Sequence, residues 1–144
     1  MVEKEINDNY EKYYEIESLI GKGQYGKVYK GINKKTKEIK AIKVIEINED
    51  KIFMKNINNE IKNMKICSYN NNNSVKIYEC FHYKSKFRNE FVIIMELCEN
   101  NLQKILDKKK EGFTCEEIHY IMSQLNNTFK IMNKEKIIHR DIKL

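Results

Sequence analysis

Gly21-Lys22-Gly23-Gln24-Tyr25-Gly26-Lys27-Val28 sets three glycines within six residues, in a chain of 144 residues with only five glycines. Lacking Cβ atoms, such a turn lets backbone N–H groups close over an anion, and its chemistry is that of a phosphate cover. The same spacing opens dinucleotide-binding folds, in which a helix follows the third glycine directly. Here Val28-Tyr29-Lys30-Gly31-Ile32 reads as a strand, Lys34-Lys35-Thr36-Lys37 as a turn, and Glu38 to Ile45 alternates at period two as another strand. Along that strand Ala41 and Lys43 share a face, and Ala41 is the only alanine in the chain. Two further groups could join this chemistry. One is Glu60, and the other is the charged run His139-Arg140-Asp141-Ile142-Lys143 near the end of the sequence. Without chemistry, the same residues would be a glycine turn, an exposed lysine, a solvated glutamate and a charged turn after a helix.

The elements that must position these groups follow from periodicity. Met1 to Tyr13 is a polar lead-in, and Tyr14 to Ile20 a first strand. Asn48-Glu49-Asp50 offers N-cap candidates for a helix whose Phe53, Ile57, Ile61 and Met64 fall on one face. Glu60 stands at the edge of that face, within reach of Lys43. Tyr69 to Ser74, with four consecutive asparagines, reads as a loop. Val75 to Phe81 and Phe91 to Leu97 read as strands, the second nearly continuous in apolar residues and so buried, with His82 to Glu90 as a solvent-facing connection. From Asn101 the pattern turns helical. Asn101 caps Leu102 to Lys110, with Leu102, Ile105 and Leu106 on one side, and Gly112 closes that region. Thr114 and Glu117 form a capping box for a helix carrying Ile118, Ile121, Met122, Leu125, Phe129 and Met132 as core positions.

Strand, glycine turn, strand, turn, a strand carrying Ala41-Ile42-Lys43, then a helix with Glu60 and, much later, His139-Arg140-Asp141-Ile142-Lys143, resembles the protein kinase family, serine/threonine branch. The resemblance runs from about Tyr14 to Leu144. It implies an α+β, protein-kinase-like fold: a five-stranded antiparallel N-lobe with one C-type helix over 14–97, a hinge at 98–101, and the first helices of a C-lobe over 102–144, after a lead-in at 1–13. It implies ATP as the nucleotide and a protein serine or threonine hydroxyl as acceptor. Ile20, Gly21, Lys22, Gly23, Gln24, Tyr25 and Gly26 would cover the phosphates and the nucleotide, with Val28 and Ala41 clamping adenine. Lys43, held by Glu60, would position the α- and β-phosphates. Met95 would be the gatekeeper, and Glu96-Leu97-Cys98 the hinge whose backbone meets the purine edge. Asp141 would accept or orient the proton of the attacking hydroxyl, and Lys143 would neutralise the transferring group. Arg140 would reach an activation segment, and His139 would pack in an apolar spine. The metal-binding Asn and the Asp-Phe-Gly aspartate of the family do not occur in these 144 residues. No metal ligand is therefore assigned, magnesium is expected of the whole domain only, and the 144 residues alone are expected to be inactive and to leave the C-lobe helices with exposed apolar faces.

Composition limits the alternatives. The net charge is +6, with 27 Lys and Arg against 21 Asp and Glu, and only Arg88 and Arg140 are arginine. A lysine excess of this kind accompanies the abundance of Lys, Asn and Ile, and no aromatic-rich basic stripe supports a nucleic-acid or membrane partner. Met1 to Asn9 has no apolar core segment, so no signal peptide is expected, and no apolar run approaches bilayer length. Cys67, Cys80, Cys98 and Cys115 are widely spaced without a C-x-x-C pair, which suits reduced thiols in a cytoplasmic or nuclear protein. Two other functions compete with the enzyme: a short form that binds nucleotide or a partner without catalysis, and an RNA-binding module whose affinity would fall steeply with salt.

Overall fold

The computed structural model describes residues 6, 8–23, 26–47, 51–140 and 142, the side chains of 51–53 aside. They divide into two compact units, Met1–Ile61 with Lys76–Leu97, and Lys62–Val75 with Cys98–Leu144. The proposed helix caps at Asn48, Glu49 and Asp50 lie outside the described residues.

The first unit is an antiparallel sheet of five strands in the order β1-β2-β3-β5-β4. The strands are β1 (Tyr14–Gly23), β2 (Gly26–Asn33), β3 (Ile39–Glu46), β4 (Ile77–Lys84) and β5 (Asn89–Met95). β1 runs three residues past the expected end at Ile20, and β2 starts two before Val28. Glycine carries no side chain to continue an alternating pattern, yet its N–H and C=O still pair, and the ladder extends to Gly23 opposite Gly26. β4 and β5 are likewise offset from the expected spans. Their hairpin continues through His82 opposite Phe91 to Lys84 opposite Asn89, and Ser85 N–H closes the turn on the Arg88 carbonyl at 2.7 Å. The charged residues read as a connection therefore carry the solvated end of two strands.

Helix α1 (Lys51–Ser68) begins on this sheet. Ile57 and Ile61 from α1 are buried with Ile45, Ile47, Cys80, Phe91 and Ile93, each large apolar side chain contributing about 1.5–3 kcal/mol when removed from water. The opposite face buries Ile42, Phe81, Val92 and Ile94 with Tyr10 and Tyr14. Tyr10 belongs to a single 3-10 turn, Tyr10–Lys12, capped by the Asn9 side chain. The lead-in is thus part of the core: Ile6 bridges Phe81 in parallel, and the Arg88 guanidinium bonds both Glu11 carboxylate oxygens, at 2.8 and 3.3 Å.

In the second unit α2 spans only Leu102–Leu106, shorter than the expected span to Lys110. Beyond it the chain tightens, Lys108 N–H donating to the Ile105 carbonyl and Lys109 N–H to that of Leu106. In a longer helix Lys104 and Lys108 would be a like-charged i,i+4 pair, and Lys109 turns instead to the Glu117 carboxylate. Helix α3 (Cys115–Lys134) opens with the expected capping box. Its apolar stripe is only partly covered: Met132 is buried, whereas Ile118 and Met122 are about half exposed, at 49% and 51%. The asparagine-rich loop is not simply a solvated one. Asn71, 3% exposed, donates from Nδ2 to the Cys67 carbonyl and to Thr128 Oγ1, at 2.9 and 2.8 Å. No helix of the described residues is long and apolar enough to cross a membrane.

Candidate functional site

Cross-strand register decides which side chains share a face. Val28 lies opposite Lys43 and Lys30 opposite Ala41, while Ala41 lies opposite Met95 and Lys43 opposite Ile93. Directly paired residues project to the same side, so Val28, Ala41, Lys43 and Met95 stand together on the α1 face. Ala41 is buried at 4% exposure, and Val28 and Met95 are half-buried. Lys30, which the sequence did not single out, is tied to Glu17 at 2.8 Å.

Lys43 reaches the helix. Its Nζ lies 2.8 Å from Glu60 Oε1, with the lysine side chain 20% exposed and the glutamate 43%. Ile57 and Ile61 bury one side of α1, and Glu60, one position before Ile61, is carried to the edge of that contact. An ammonium has three N–H donors and this pair uses one, so Lys43 is oriented without being exhausted.

The glycine turn is the end of the β1–β2 hairpin. Gly26 has φ of 148°, and a Cβ there would overlap the Val44 carbonyl oxygen, so only glycine lets β2 start so close to β3. Gly23 is different: a Cβ would meet nothing within 4 Å, which leaves its surroundings open to a ligand. Gly21 is half-buried beside Val28, Lys22 and Gly23 are exposed, and Ile20 is 44% exposed. Gln24 and Tyr25 lie outside the described residues. Open space at Gly23, an oriented ammonium and the apolar Val28, Ala41 and Met95 together suit a nucleotide: anion at one end, flat heterocycle at the other.

Glu96 follows Met95 in the same unit and is half-buried. Cys98 is exposed and belongs to the second unit. Asp141 and Lys143 lie outside the described residues. His139 does not pack as expected: it is exposed, and its neighbours Ile138 and Ile142 are exposed at 74% and 69%, so they form no apolar shell for its ring. Arg140 is exposed with φ of 67°. A magnesium ion takes oxygen donors, chiefly carboxylates, with water and phosphate. Among the described residues no three or more His, Cys, Asp or Glu side chains come together as such a group.

The sequence matches the protein kinase domain over residues 14–144. Among curated relatives, it is 37% identical over 143 residues to "Calcium-dependent protein kinase 5" of Plasmodium berghei (strain Anka), covering 95% of this chain and 23% of that protein. It is 34% identical over 128 residues to "Cyclin-dependent kinase G1" of Arabidopsis thaliana, covering 86% and 21%. It is 33% identical over 134 residues to "Serine/threonine-protein kinase atg1" of Dictyostelium discoideum, covering 90% and 20%. The chain thus spans less than a quarter of the length of these relatives. With the five-stranded antiparallel sheet and the helices that follow it, the match identifies the arrangement as a kinase N-lobe and the start of a C-lobe: this chain belongs to the protein kinase family.

Proposed function

We propose that the α1 face of the sheet holds ATP and that the protein transfers its terminal phosphoryl group to serine or threonine hydroxyls of protein substrates. The observation that carries this reading is the 2.8 Å Lys43–Glu60 pair on the face that also bears Val28, Ala41 and Met95. Lys43 gives its remaining donors to the α- and β-phosphate oxygens, and Glu60 keeps it from swinging to solvent. Gly21, Gly23 and Gly26, with Lys22, Gln24 and Tyr25, cover the phosphates and exclude water. Ile20, Val28, Ala41 and Met95 wall the adenine, and the backbone at Glu96 meets its edge. Assignments at Cys98, Asp141 and Lys143 rest on the family resemblance alone: a backbone contact, the acceptor of the substrate proton and the neutralising cation. When bound with magnesium, ATP supplies the phosphoryl group and a diphosphate leaving group. These 144 residues hold no Asp-Phe-Gly, so we assign the transfer itself to a polypeptide that carries the family's metal ligands as well. Serine/threonine preference is supported by Lys143 two residues after Asp141. We place the protein in the cytoplasm or nucleus on its cysteine spacing.

The test is thermal unfolding with and without ATP. Saturation at one hundred times Kd should stabilise the protein by about 2.7 kcal/mol, and no shift at millimolar ATP would sink the reading. A protein containing the metal ligands is then given serine, threonine and tyrosine peptides. Binding without turnover there would support the non-catalytic alternative.

A further inference from the structure

The segment that leaves β5 is held by one main-chain bond and one side chain. β5 ends at Met95, whose partners are Ala41 on one side and Ile77 on the other. Glu96 therefore stands one residue beyond both ladders. Its N–H nevertheless donates to the Lys76 carbonyl at 2.9 Å, and the Lys76 N–H donates to Glu96 Oε2 at 3.2 Å. In a hydrogen-bonded antiparallel pair both exchanged bonds are main-chain N–H to C=O. Here a carboxylate stands in for one carbonyl. The Lys76 donor is satisfied, and the Glu96 carbonyl is not spent on it.

The geometry points to Glu96 as a positioning residue for the base of the nucleotide: its carboxylate, by holding the Lys76 N–H, sets the backbone just past Met95 so that its carbonyl and N–H groups are presented to a purine edge. The inference rests on the ATP reading above and deepens it. Base and phosphate are then read by separate parts of the sheet. The phosphates are met by the glycine turn and Lys43, the heterocycle by a backbone segment that one main-chain bond and one carboxylate hold. A backbone groove fixed in this way discriminates by hydrogen-bond pattern, because a base that mismatches leaves desolvated groups unpaired. Removing the carboxylate should weaken whatever carries a purine and leave a bare polyphosphate alone.

The experiment titrates the protein with ATP and with inorganic tripolyphosphate, for the wild type, Glu96→Ala and Glu96→Gln. The amide oxygen of Gln keeps an acceptor at the same reach. Glu96→Ala is expected to lose about tenfold in ATP affinity, the equivalent of about 1.4 kcal/mol, with tripolyphosphate affinity unchanged, and Glu96→Gln is expected to restore ATP binding. Equal loss for both ligands would mean a merely structural role and would overturn the inference, as would unchanged ATP affinity in Glu96→Ala. If Glu96→Ala does not fold, Glu96→Leu, similar in bulk but without an acceptor, takes its place in the same titrations. A wild type that binds tripolyphosphate as well as ATP would instead refute base recognition altogether, and one that binds neither would refute the nucleotide reading.

Discussion

Replacing Asn71 by alanine should cost far more than its place in a run of four asparagines suggests. The side chain is 3% exposed and holds together three pieces of the second unit. The two hydrogens of Nδ2 are shared among the Cys67 carbonyl at the end of α1, Ser74 Oγ at 3.1 Å and Thr128 Oγ1 on α3. Oδ1 accepts from Asn73 N–H at 3.2 Å and Asn127 Nδ2 at 3.3 Å. After truncation Ser74 and Thr128 retain each other at 3.0 Å. The Cys67 carbonyl and the Asn73 N–H lose this partner. A buried polar group left without its bond costs about 1–3 kcal/mol; Asn73 is exposed and its amide can turn to water, so the half-buried Cys67 carbonyl sets the loss at roughly 1–3 kcal/mol. That is a large share of the 5–15 kcal/mol or so that holds a typical domain folded. The neighbouring Asn72 is exposed, and Asn72→Ala should stay within about 0.5 kcal/mol of wild type. Urea unfolding of both variants measures the difference, and hydrogen exchange at the Asn73 amide localises it. Equal stability of the two, or an Asn73 amide that exchanges no faster in Asn71→Ala, would refute the reasoning.

Gly26→Ala should destabilise the β1–β2 hairpin by roughly 1–3 kcal/mol or more, since the new Cβ meets the Val44 carbonyl in a backbone conformation that strains an L-residue. Gly23→Ala, with open space around the Cβ, should cost about 1 kcal/mol at most yet weaken ATP binding, so thermal melts with and without nucleotide separate the two glycines. Lys43→Met should melt within a few degrees of wild type, because a half-exposed ion pair contributes about 0–1 kcal/mol, while the stabilisation by ATP disappears. Unchanged stabilisation in that variant would remove Lys43 from the site. Glu90 has a side chain 13% exposed and an Oε2 with no hydrogen-bond partner among the described residues; burial holds its carboxyl above the ordinary range, against the pull of Arg88. A folded pKa above the unfolded one means that the penalty is absent below the unfolded value and grows as pH rises through the folded value. Glu90→Gln should therefore stabilise at neutral pH and lose that advantage on acidification, and a variant equally stable or weaker at pH 7 would contradict this.

Much of the site could be read from residue types because each carries its own signal. Strand alternation put Ala41 and Lys43 on one face before any register was known, and the spacing of Ile57 and Ile61 put Glu60 at the edge of the helix contact. What could not be read had no local signature. Glycines 21 and 23 looked like a loop because a strand is recognised by its side chains, and Asn71 looked solvated because its partners lie as far off as Thr128 and Asn127. Tyr10 sits among charged residues, and its burial comes from Phe81 and Val92, which are distant in sequence. The stripe on α3 was legible as apolar. Its coverage was not, since Ile118 and Met122 depend on what packs against them. The boundaries at Gln24, Tyr25, Asp141 and Lys143 stand on the sequence reading alone.

The match to the kinase domain starts at residue 14, but the folded body starts earlier. Ile6 takes its N–H to the Cys80 carbonyl and accepts from His82 N–H, occupying part of the β4 edge, and the Tyr10 ring is 3% exposed. Cutting the chain at the family boundary would therefore strip a plug from the sheet rather than trim a tail. The ring would leave Phe81 and Val92 open to water, and the bared β4 edge would be ready to add a strand from another molecule. For this protein, sequence kinship and mechanical integrity draw the domain's first residue in different places, and anyone shortening it should follow the second.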